Sequence, residues 1–273
     1  MRLSHNMFSM KIYENYKSTL VENSKAVNNI GSGKKLNSAK DNPNKIAQSE
    51  NLKINLKSRD AASQNIQDTN SMLQTFDGAL QEMNNDVARL KQLTVSAANG
   101  TNIDEDKAVI QKEIDNIKNN LDYLAKNTSF NGISMSSTTI TSKKSTIGAL
   151  SNENIDIPFF DLSNVGIGVD GIDVTDPSKL NSNIDAVDKA NVTISMIRSK
   201  YGAIQSRLSD TYDELDEMNQ PLYKAQSSIE DADIAEESLE NSRTKILYES
   251  ALSLMVQSNK LPQNALNVLS SVR

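Results

Sequence analysis

The sequence contains no cysteine, no tryptophan and only one histidine, His5. Because there is no cysteine, neither a disulfide framework nor a thiolate metal site can form. A single histidine also excludes the two-histidine HExxH motif of zinc proteases and any zinc site that needs a pair of imidazoles. We therefore expect no metal and no cofactor, and no constellation of residues points to an enzyme.

Bulky apolar side chains are scarce as well. Aromatic residues make up 4% of the chain and hydrophobic residues 37%, which suits narrow helical seams better than a thick globular core. No apolar run approaches the roughly 18 residues of a membrane span. Residues 1–18 are polar and amphipathic and lack the apolar region of a cleavable signal peptide. If the protein leaves the cell, we expect it to use another route.

Charge is distributed unevenly along the chain. The formal net charge is −6, which argues against nucleic acid as the main partner. Residues 1–45 carry eight Lys/Arg and three Asp/Glu, whereas residues 205–240 carry two Lys/Arg and eleven Asp/Glu. Segments of opposite charge favour contact between the chain ends or between subunits. Two independently solvated faces would give the same pattern.

Two interleaved series of apolar residues, each with a spacing of seven, dominate the late part of the sequence. Most of the residues between them are charged or polar. The first series is Val187, Ile194, Tyr201, Leu208, Leu215, Leu222 and Ile229, and the second is Ala190, Ile197, Ile204, Thr211, Met218, Ala225 and Ala232. This is the a/d seam of a coiled coil over about six heptads. Pro221 falls inside the seam and is expected to bend or locally unpair the helix.

Other helices are predicted on both sides of this stretch. Residues 1–30 are amphipathic, and residues 31–45 contain the glycines and the proline that end a helix. A second long helix follows from residue 46 to about 98, with the same interleaved heptads. A third helix, from 104 to 126, carries Ile and Leu at spacings that let it run back along the second. Residues 233–273 form a last amphipathic helix.

Residues 127–180 differ from the rest because Ser, Thr, Gly and Asn dominate and short β-branched runs appear. They predict one or two small hairpins. We therefore predict a mainly α fold: a long antiparallel helical bundle or coiled coil with a small β-hairpin region at about 133–175, and paired N- and C-terminal helices as a second segment. The predicted domains are residues 1–45 with 233–273, and residues 46–232.

Residues 166–171, Gly-Ile-Gly-Val-Asp-Gly, satisfy the GxGxxG pattern of dinucleotide-binding loops. That loop requires a strand before it and a helix that opens within it. Here β-like and turn-like residues follow, so a glycine-rich turn region is the better interpretation.

Several segments resemble a bacterial flagellin. In the N-terminal half they are MRLSHN, SGKKLNSAKDN, QNIQDTNSMLQTFDGALQEMN, LKQLTVSAANGTN and TSFNGISM, and in the C-terminal half YGAIQSRL, SSIEDADIAEES and VLSSVR. The resemblance is collinear and extends over well over two thirds of the chain. It implies a short flagellin without outer domains: a self-assembling structural subunit of the extracellular flagellar filament, which serves swimming motility and is exported without a cleaved signal peptide. The terminal helices would form an inner tube, and a three-helix shaft domain would surround it.

The resemblance also implies partners and contact residues. The candidates for inner-tube assembly are Tyr13, Tyr16, Leu20, Val27, Ile246, Leu247, Leu254, Met255, Leu266 and Leu269. A flagellar export chaperone is expected on the apolar face of the C-terminal helix, and the filament cap and junction proteins are further partners. Heptad counting places Arg89 and Leu93 on the flanks of the seam and Glu113 beside Ile114. In similar flagellins the matching positions face subunit contacts and are read by an animal Toll-like receptor, although ordinary solvated positions explain them equally well.

One departure keeps an alternative open. After Asp41, flagellins usually continue with small apolar residues, whereas this chain has NPNKIAQSENLK. An Asp-Asn-Pro turn at this point is more like the hook–filament junction proteins. The remaining alternative, from another class, is a coiled-coil adhesin or binding module, which would form a discrete oligomer instead of a filament.

Overall fold

The computed structural model describes residues 6–150 and 152–271. These residues form a mainly helical protein, as predicted. The helices are α1 (Met7–Ser32), α2 (Pro43–Ala97), α3 (Asp104–Asn127), α4 (Leu180–Glu230) and α5 (Ile234–Ser271). Pro43 opens α2 in the first turn, where a missing backbone N–H costs nothing. A short 3-10 turn, Pro177–Lys179, precedes α4.

The chain divides into two compact units. Met1–Ile54 with Pro221–Arg273 form one, the terminal unit, and Asn55–Gln220 form the other, the shaft unit. The boundaries at residues 45 and 232 expected from the sequence lie closer to the chain ends. At this junction the carboxylate of Glu230, at the end of α4, accepts hydrogen bonds from Ser49 of α2 and from Lys34 of the loop after α1, so the first turns of α2 and the last turns of α4 belong to the terminal unit.

In the shaft unit, α2, α3 and α4 share one hydrophobic core. The heptad residues predicted on α2 are buried: Ile66, Thr69, Leu73, Phe76, Leu80, Met83, Val87 and Leu90. On α4, the buried residues are Val187, Ala190, Ile194, Ile197, Tyr201, Leu208 and Leu215. Ile114 and Leu121 contribute from α3. The predicted three-helix core is therefore present, and its α4 seam ends near Leu215, since Met218 is 45% exposed.

Two small antiparallel pairs of strands follow α3. β1 (Ser129–Phe130) pairs with β2 (Ile133–Ser134), and β3 (Ser142–Thr146) pairs with β4 (Asn154–Pro158). The turn between β1 and β2 has φ of 48° at Asn131 and 76° at Gly132, the conformation for which hairpins use Asn-Gly. The prediction of one or two hairpins is confirmed, although the strands begin before residue 133.

The β-branched run at residues 165–169 forms no strand. The backbone N–H groups of Val169 and Asp170 both donate to the carbonyl of Asn164, at 2.9 and 3.2 Å, so turns satisfy this segment in place of a strand partner. Val165 is 73% exposed, but most apolar side chains of residues 159–174 are buried in the shaft core: Phe159, Leu162, Ile167, Val169, Ile172 and Val174. The glycine-rich residues 166–171 lie in these turns, as the sequence indicated.

Aromatic side chains cluster where this segment covers α2 and α4. The ring of Phe76 lies 6.1 Å from that of Phe159 and 6.4 Å from that of Tyr201. The Tyr201 hydroxyl donates to the carbonyl of Pro158 at 3.1 Å. Burial raises the pKa of Tyr201 to about 12. Phe76, Phe159 and Tyr201 therefore pack together within the shaft core.

Pro221 does not end α4, which continues to Glu230. A proline within a helix leaves the carbonyl four residues earlier without its usual partner. Here that carbonyl belongs to Glu217, an exposed residue, so water can solvate it. Pro221 is also the residue at which the division between the two units falls.

Candidate functional site

In the terminal unit, α1 and α5 pack against each other through polar and small side chains. Among the described side chains of the two helices, the buried residues are Ile12, Ala26, Asn29, Thr244 and Ser258. Only Ile12 is a large apolar residue. This seam is therefore unlike the apolar core of the shaft unit.

Hydrogen bonds join the two helices at both ends of the seam and near its middle. At the start of α1, the hydroxyls of Ser9 and Ser258 lie 2.7 Å apart. The amide of Asn6 donates to the Ser258 hydroxyl at 3.0 Å. Asn6 also caps α1 by accepting a hydrogen bond from the backbone N–H of Ser9, as helix N-caps commonly do.

Asparagine side chains make the contacts further along α1. The Asn23 amide donates to the side-chain oxygen of Asn241 at 2.8 Å and to the Thr244 hydroxyl at 3.0 Å. The Asn29 amide donates to a carboxylate oxygen of Glu237 at 2.8 Å. Each of these hydrogen bonds pairs a polar side chain of α1 with a polar side chain of α5, so the two helices satisfy these groups between them.

Most of the large apolar side chains of both helices are exposed and do not lie in the seam. We call this set the outer apolar surface. On α1 it consists of Met7, Phe8, Met10, Tyr13, Leu20, Val21 and Val27, and on α5 of Leu239, Ile246, Leu247, Leu252, Leu254, Val256 and Leu261. The exposed fraction reaches 64% at Ile246 and 73% at Leu239. Large exposed apolar patches on a folded chain mark sites of association.

Most of the described assembly candidates from the sequence belong to this surface. They are Tyr13, Leu20, Val27, Ile246, Leu247 and Leu254. Tyr16 and Met255 are half-buried instead, and Tyr16 stacks on Tyr13 with ring centroids 6.4 Å apart. Leu266 and Leu269 lie outside the described side chains.

An open groove of about 440 Å³ runs beside the seam near the start of α1. Met10, Tyr13 and Met255 provide its apolar lining, and Glu14 and Lys17 lie at its polar side. The groove is large enough to receive an apolar side chain. Met10 and Tyr13 belong both to its lining and to the outer apolar surface.

Glu230, at the end of α4, contacts four side chains of the terminal unit. Its carboxylate accepts hydrogen bonds from Lys34, Lys53, Ser49 and Gln226, at 2.6, 3.1, 2.8 and 3.3 Å. Only 6% of its side chain is exposed. The hydrogen bond from Lys34, with those from Ser49, Lys53 and Gln226, lowers the pKa of Glu230 to about 2 against the opposing effect of burial.

Backbone hydrogen bonds reinforce this cluster. The N–H of Lys35 donates to the carbonyl of Glu230 at 2.8 Å, and the N–H of Ala232 donates to the carbonyl of Gly33 at 2.9 Å. Gly33 ends α1 with φ of 71°, a left-handed conformation that glycine adopts readily. The loop after α1 and the turn after α4 are therefore fixed to each other.

The second predicted set lies in the shaft unit, where α2 faces α3. The Arg89 guanidinium contacts one carboxylate oxygen of Glu113 through two nitrogens, at 2.9 and 2.7 Å. The side chains of Arg89 and Glu113 are 52% and 46% exposed. Leu93, which heptad counting placed on the flank, is 6% exposed and belongs to the core. The structure thus exposes two of the three residues and buries the third.

The described residues give no support for a metal site, a membrane-spanning helix or a dinucleotide-binding loop. Within them, no three or more His, Cys, Asp or Glu side chains come close enough to hold a metal ion. None of their helices is both long and apolar enough to cross a membrane. No helix opens within the GxGxxG segment, which lies in turns.

The sequence reasoning missed the polar seam and the Glu230 cluster. Asn23 and Thr244 occupy heptad positions on α1 and α5. The sequence therefore contained a pattern of polar residues that predicts the seam, beside the apolar stripes on which the helix prediction rested. Glu230 lies in the segment SSIEDADIAEES, which suggested a family but no role for the carboxylate. Its partners are remote in sequence, and only the fold brings Lys34, Ser49 and Lys53 to it.

The terminal unit exposes a broad apolar surface, and a hydrogen-bonded polar seam joins its two helices. In a helical fold this combination is typical of a structural protein that functions by associating with other chains. Two family models match the chain: the bacterial flagellin N-terminal helical region, over residues 3–141, and the bacterial flagellin C-terminal helical region, over residues 184–269. The chain belongs to the bacterial flagellin family and is a structural filament subunit.

Relatives of known identity agree over the whole length. The chain is 32% identical to a flagellin of Halalkalibacterium halodurans over 271 residues, which cover 98% of this chain and 100% of the relative. It is 29% identical to a flagellin of Bacillus subtilis, with 98% and 100% coverage. It is 28% identical to the flagellar filament 30.7 kDa core protein of Treponema maltophilum, with 99% and 100% coverage. None of these proteins is described as an enzyme.

Solved structures are similar in fold. The crystal structure of a Bacillus cereus flagellin matches with a TM-score of 0.51 and 27% identity, covering 56% of this chain and 88% of that one. A putative flagellar hook-associated protein from Vibrio parahaemolyticus matches with a TM-score of 0.61 and 13% identity, covering 70% and 100%. At that identity the second match shows a shared fold alone, so it does not favour a junction protein over a flagellin.

Proposed function

We propose that this chain builds the flagellar filament by burying its outer apolar surface between neighbouring copies. The observation that carries the proposal is the distribution of side chains in the terminal unit. Polar groups lie in the intramolecular seam between α1 and α5, and large apolar side chains are exposed on the outside. Full burial of a Leu, Ile, Val, Phe or Met side chain contributes roughly 1.5–3 kcal/mol. Neighbouring copies supply the burial that α1 and α5 do not give each other.

The same arrangement accounts for an open-ended polymer. Contacts between unlike surfaces on successive copies repeat without closing and generate a helical filament. We assign residues 1–45 and 233–273 to the inner tube and residues 46–232 to the shaft around it. The groove beside Met10 and Tyr13 fits an apolar side chain from a neighbouring copy.

Further partners follow from the same surfaces. The apolar face of α5 from Ile246 onward is where an export chaperone would shield the chain before assembly, with the filament cap and junction proteins acting later. Arg89 and Glu113 present an exposed ion pair for a subunit contact or an animal Toll-like receptor, whereas Leu93 is buried in the core and acts only through the packing of α2. We also propose export without signal cleavage, which N-terminal sequencing of filament protein tests by reading Met1 or Arg2.

Seeded polymerisation tests the main proposal. Purified filaments are dissociated by heat, and the soluble chain is then mixed with short filament fragments and followed by electron microscopy. We expect the seeds to grow into long filaments. Short polymers that stop growing indicate a junction protein, and a discrete oligomer measured by light scattering indicates a coiled-coil binding module.

A further inference from the structure

The polar contacts between α1 and α5 lie in a single register. Ser9 and Asn23 are two heptads apart on α1, and their partners Ser258 and Thr244 are two heptads apart on α5. Asn29, six residues after Asn23, meets a residue seven positions before Thr244. The seam is thus an antiparallel coiled coil in which polar positions are matched to polar positions.

Apolar packing contributes little to this register. Among the described side chains of the seam Ile12 is the one large apolar residue that is buried, Ala26 is small, and Tyr16, Ala251 and Met255 are only half-buried. The backbone hydrogen bond from Ala232 to Gly33 joins the adjoining ends of α1 and α5, and the polar side chains act along the rest of the seam. A shift by one heptad brings Tyr16 opposite Ser258 and keeps the buried stripe on the same faces of the helices. The same shift brings Asn23 opposite Ala251, whose side chain offers no hydrogen bond.

We propose that Asn23 and Asn29 are positioning residues that select the register of α1 on α5. Polar residues at core positions of coiled coils specify register in this way, because an unmatched amide loses its hydrogen bonds. This inference rests on the proposed polymerisation. A filament repeats identical contacts, and every copy presents the same outer apolar surface only if α1 and α5 pair in one register.

Disulfide trapping in the soluble full chain, before seeds are added, reads the register without selection by assembly. The chain contains no native cysteine, so a Ser258→Cys substitution can be combined with either Ser9→Cys, the observed pairing, or Tyr16→Cys, the pairing shifted by one heptad. The soluble chain is oxidised, and intramolecular disulfides are measured by mass spectrometry. With Asn23 present, we expect the observed pairing to exceed the shifted one by about tenfold or more.

Asn23→Leu is expected to lower that ratio severalfold, because leucine loses the hydrogen bonds to Asn241 and Thr244 that only the observed register supplies. Asn29→Leu tests the second contact independently. Asn15→Leu is the matched control, since it makes the same change on an exposed part of α1, and it should keep the original ratio. A general loss of stability would reduce both disulfides together and leave their ratio unchanged.

An unchanged ratio in both Asn23→Leu and Asn29→Leu would overturn the inference, whether or not these variants assemble. If the ratio falls in the soluble chain, the same variants should also assemble less well than Asn15→Leu, because mixed registers do not present one repeated surface. If the chain without substitutions forms no filaments, the proposed function fails and not this inference.

Discussion

The ammonium group of Lys34 lies 2.6 Å from the carboxylate of Glu230, so the loop after α1 is joined to the end of α4 by an ion pair in which the acid is almost fully buried. Lys53 of α2 contacts the same carboxylate oxygen at 3.1 Å. One carboxylate therefore fixes three segments of the terminal unit at the point where the chain enters and leaves it.

Acid should loosen this junction within a definite pH window. The pKa of Glu230 is about 2 in the folded chain against an ordinary value of 4.5. Because the folded value is lower, the stabilisation is fully present above pH 4.5 and is lost as the pH falls from 4.5 towards 2. We expect protease cleavage within residues 33–45 to accelerate over this window.

Glu230→Gln should produce the same loosening at neutral pH, at a cost of about 1–3 kcal/mol, because the hydrogen bonds to charged lysines weaken. Glu50→Gln is the matched control, since Glu50 also contacts Lys53 but its side chain is 58% exposed. The assignment fails if both variants are cleaved at the same rate as the unsubstituted chain.

Charge on the outer apolar surface should stop polymerisation without unfolding the chain. Leu247→Asp places a carboxylate where a neighbouring copy would bury leucine, and a buried unpaired charge is strongly unfavourable. We expect seeded growth to fall below detection while the helical circular dichroism signal is retained. Leu247→Met keeps an apolar side chain and should still polymerise; normal growth of Leu247→Asp would remove this residue from the interface.

The shaft core should respond very differently. Leu80 is fully buried among α2, α3 and α4, and Leu→Ala at such sites costs about 2–5 kcal/mol. We expect Leu80→Ala to lower the denaturant midpoint of unfolding by a corresponding amount. Thr75→Ala, at an exposed position of the same helix, should change it little. Equal midpoints for the two variants would contradict the assigned core.

The ion pair of Arg89 and Glu113 should contribute little to folding. Exposed pairs are typically worth about 0.2–1 kcal/mol. A double-mutant cycle of Arg89→Ala and Glu113→Ala, measured by denaturant unfolding, should give a coupling energy in this range. If the pair serves a subunit contact, the same variants should slow filament growth. A coupling well above this range with unchanged growth would make the pair a folding element.

Limited proteolysis should separate the two units in the dilute chain. Both ends should be trimmed, because α1 and α5 expose apolar surface that only neighbouring copies cover. The resistant fragment should lie within about residues 45–232, and fragment ends near Asn55 and Gln220 would match the division of the fold. Mass spectrometry of the fragment gives both ends. Uniform resistance of the termini would argue against this mechanism.

The parts of the fold that follow from periodicity were predictable from the sequence. The heptads on α2 and α4 predicted a shared core because seven-residue spacing fixes which side chains meet on a helical face. The helix break within residues 31–45, where α1 ends at Gly33, was likewise a local signal. The β-branched run at residues 165–169 adds no strand to the predicted hairpins, because β-branched composition does not show whether a segment finds a strand partner, and here the carbonyl of Asn164 ends the segment in turns.

The polar features of the site were not predictable in the same way. Apolar stripes on α1 and α5 were visible, but the sequence did not show whether they face each other or outward. The hydrogen bond between Asn23 and Thr244 shows that polar side chains of α1 and α5 face each other in the terminal unit. These two residues are 221 positions apart in the sequence. For Leu93 the prediction was wrong in the opposite direction. Heptad counting placed this residue on the flank of the seam, but its side chain is buried in the core that α2, α3 and α4 share.

Thiol accessibility at Leu247 tests whether the outer apolar surface becomes buried between copies. A single Leu247→Cys substitution gives a unique thiol in a chain without native cysteine. Its alkylation rate is compared between dilute chain and filaments, with Thr139→Cys at an exposed position of the shaft unit as reference. The proposed assembly predicts rapid alkylation of Leu247→Cys in dilute chain and strong protection in filaments, with the reference labelled in both. Equal labelling of Leu247→Cys in the two states would contradict it.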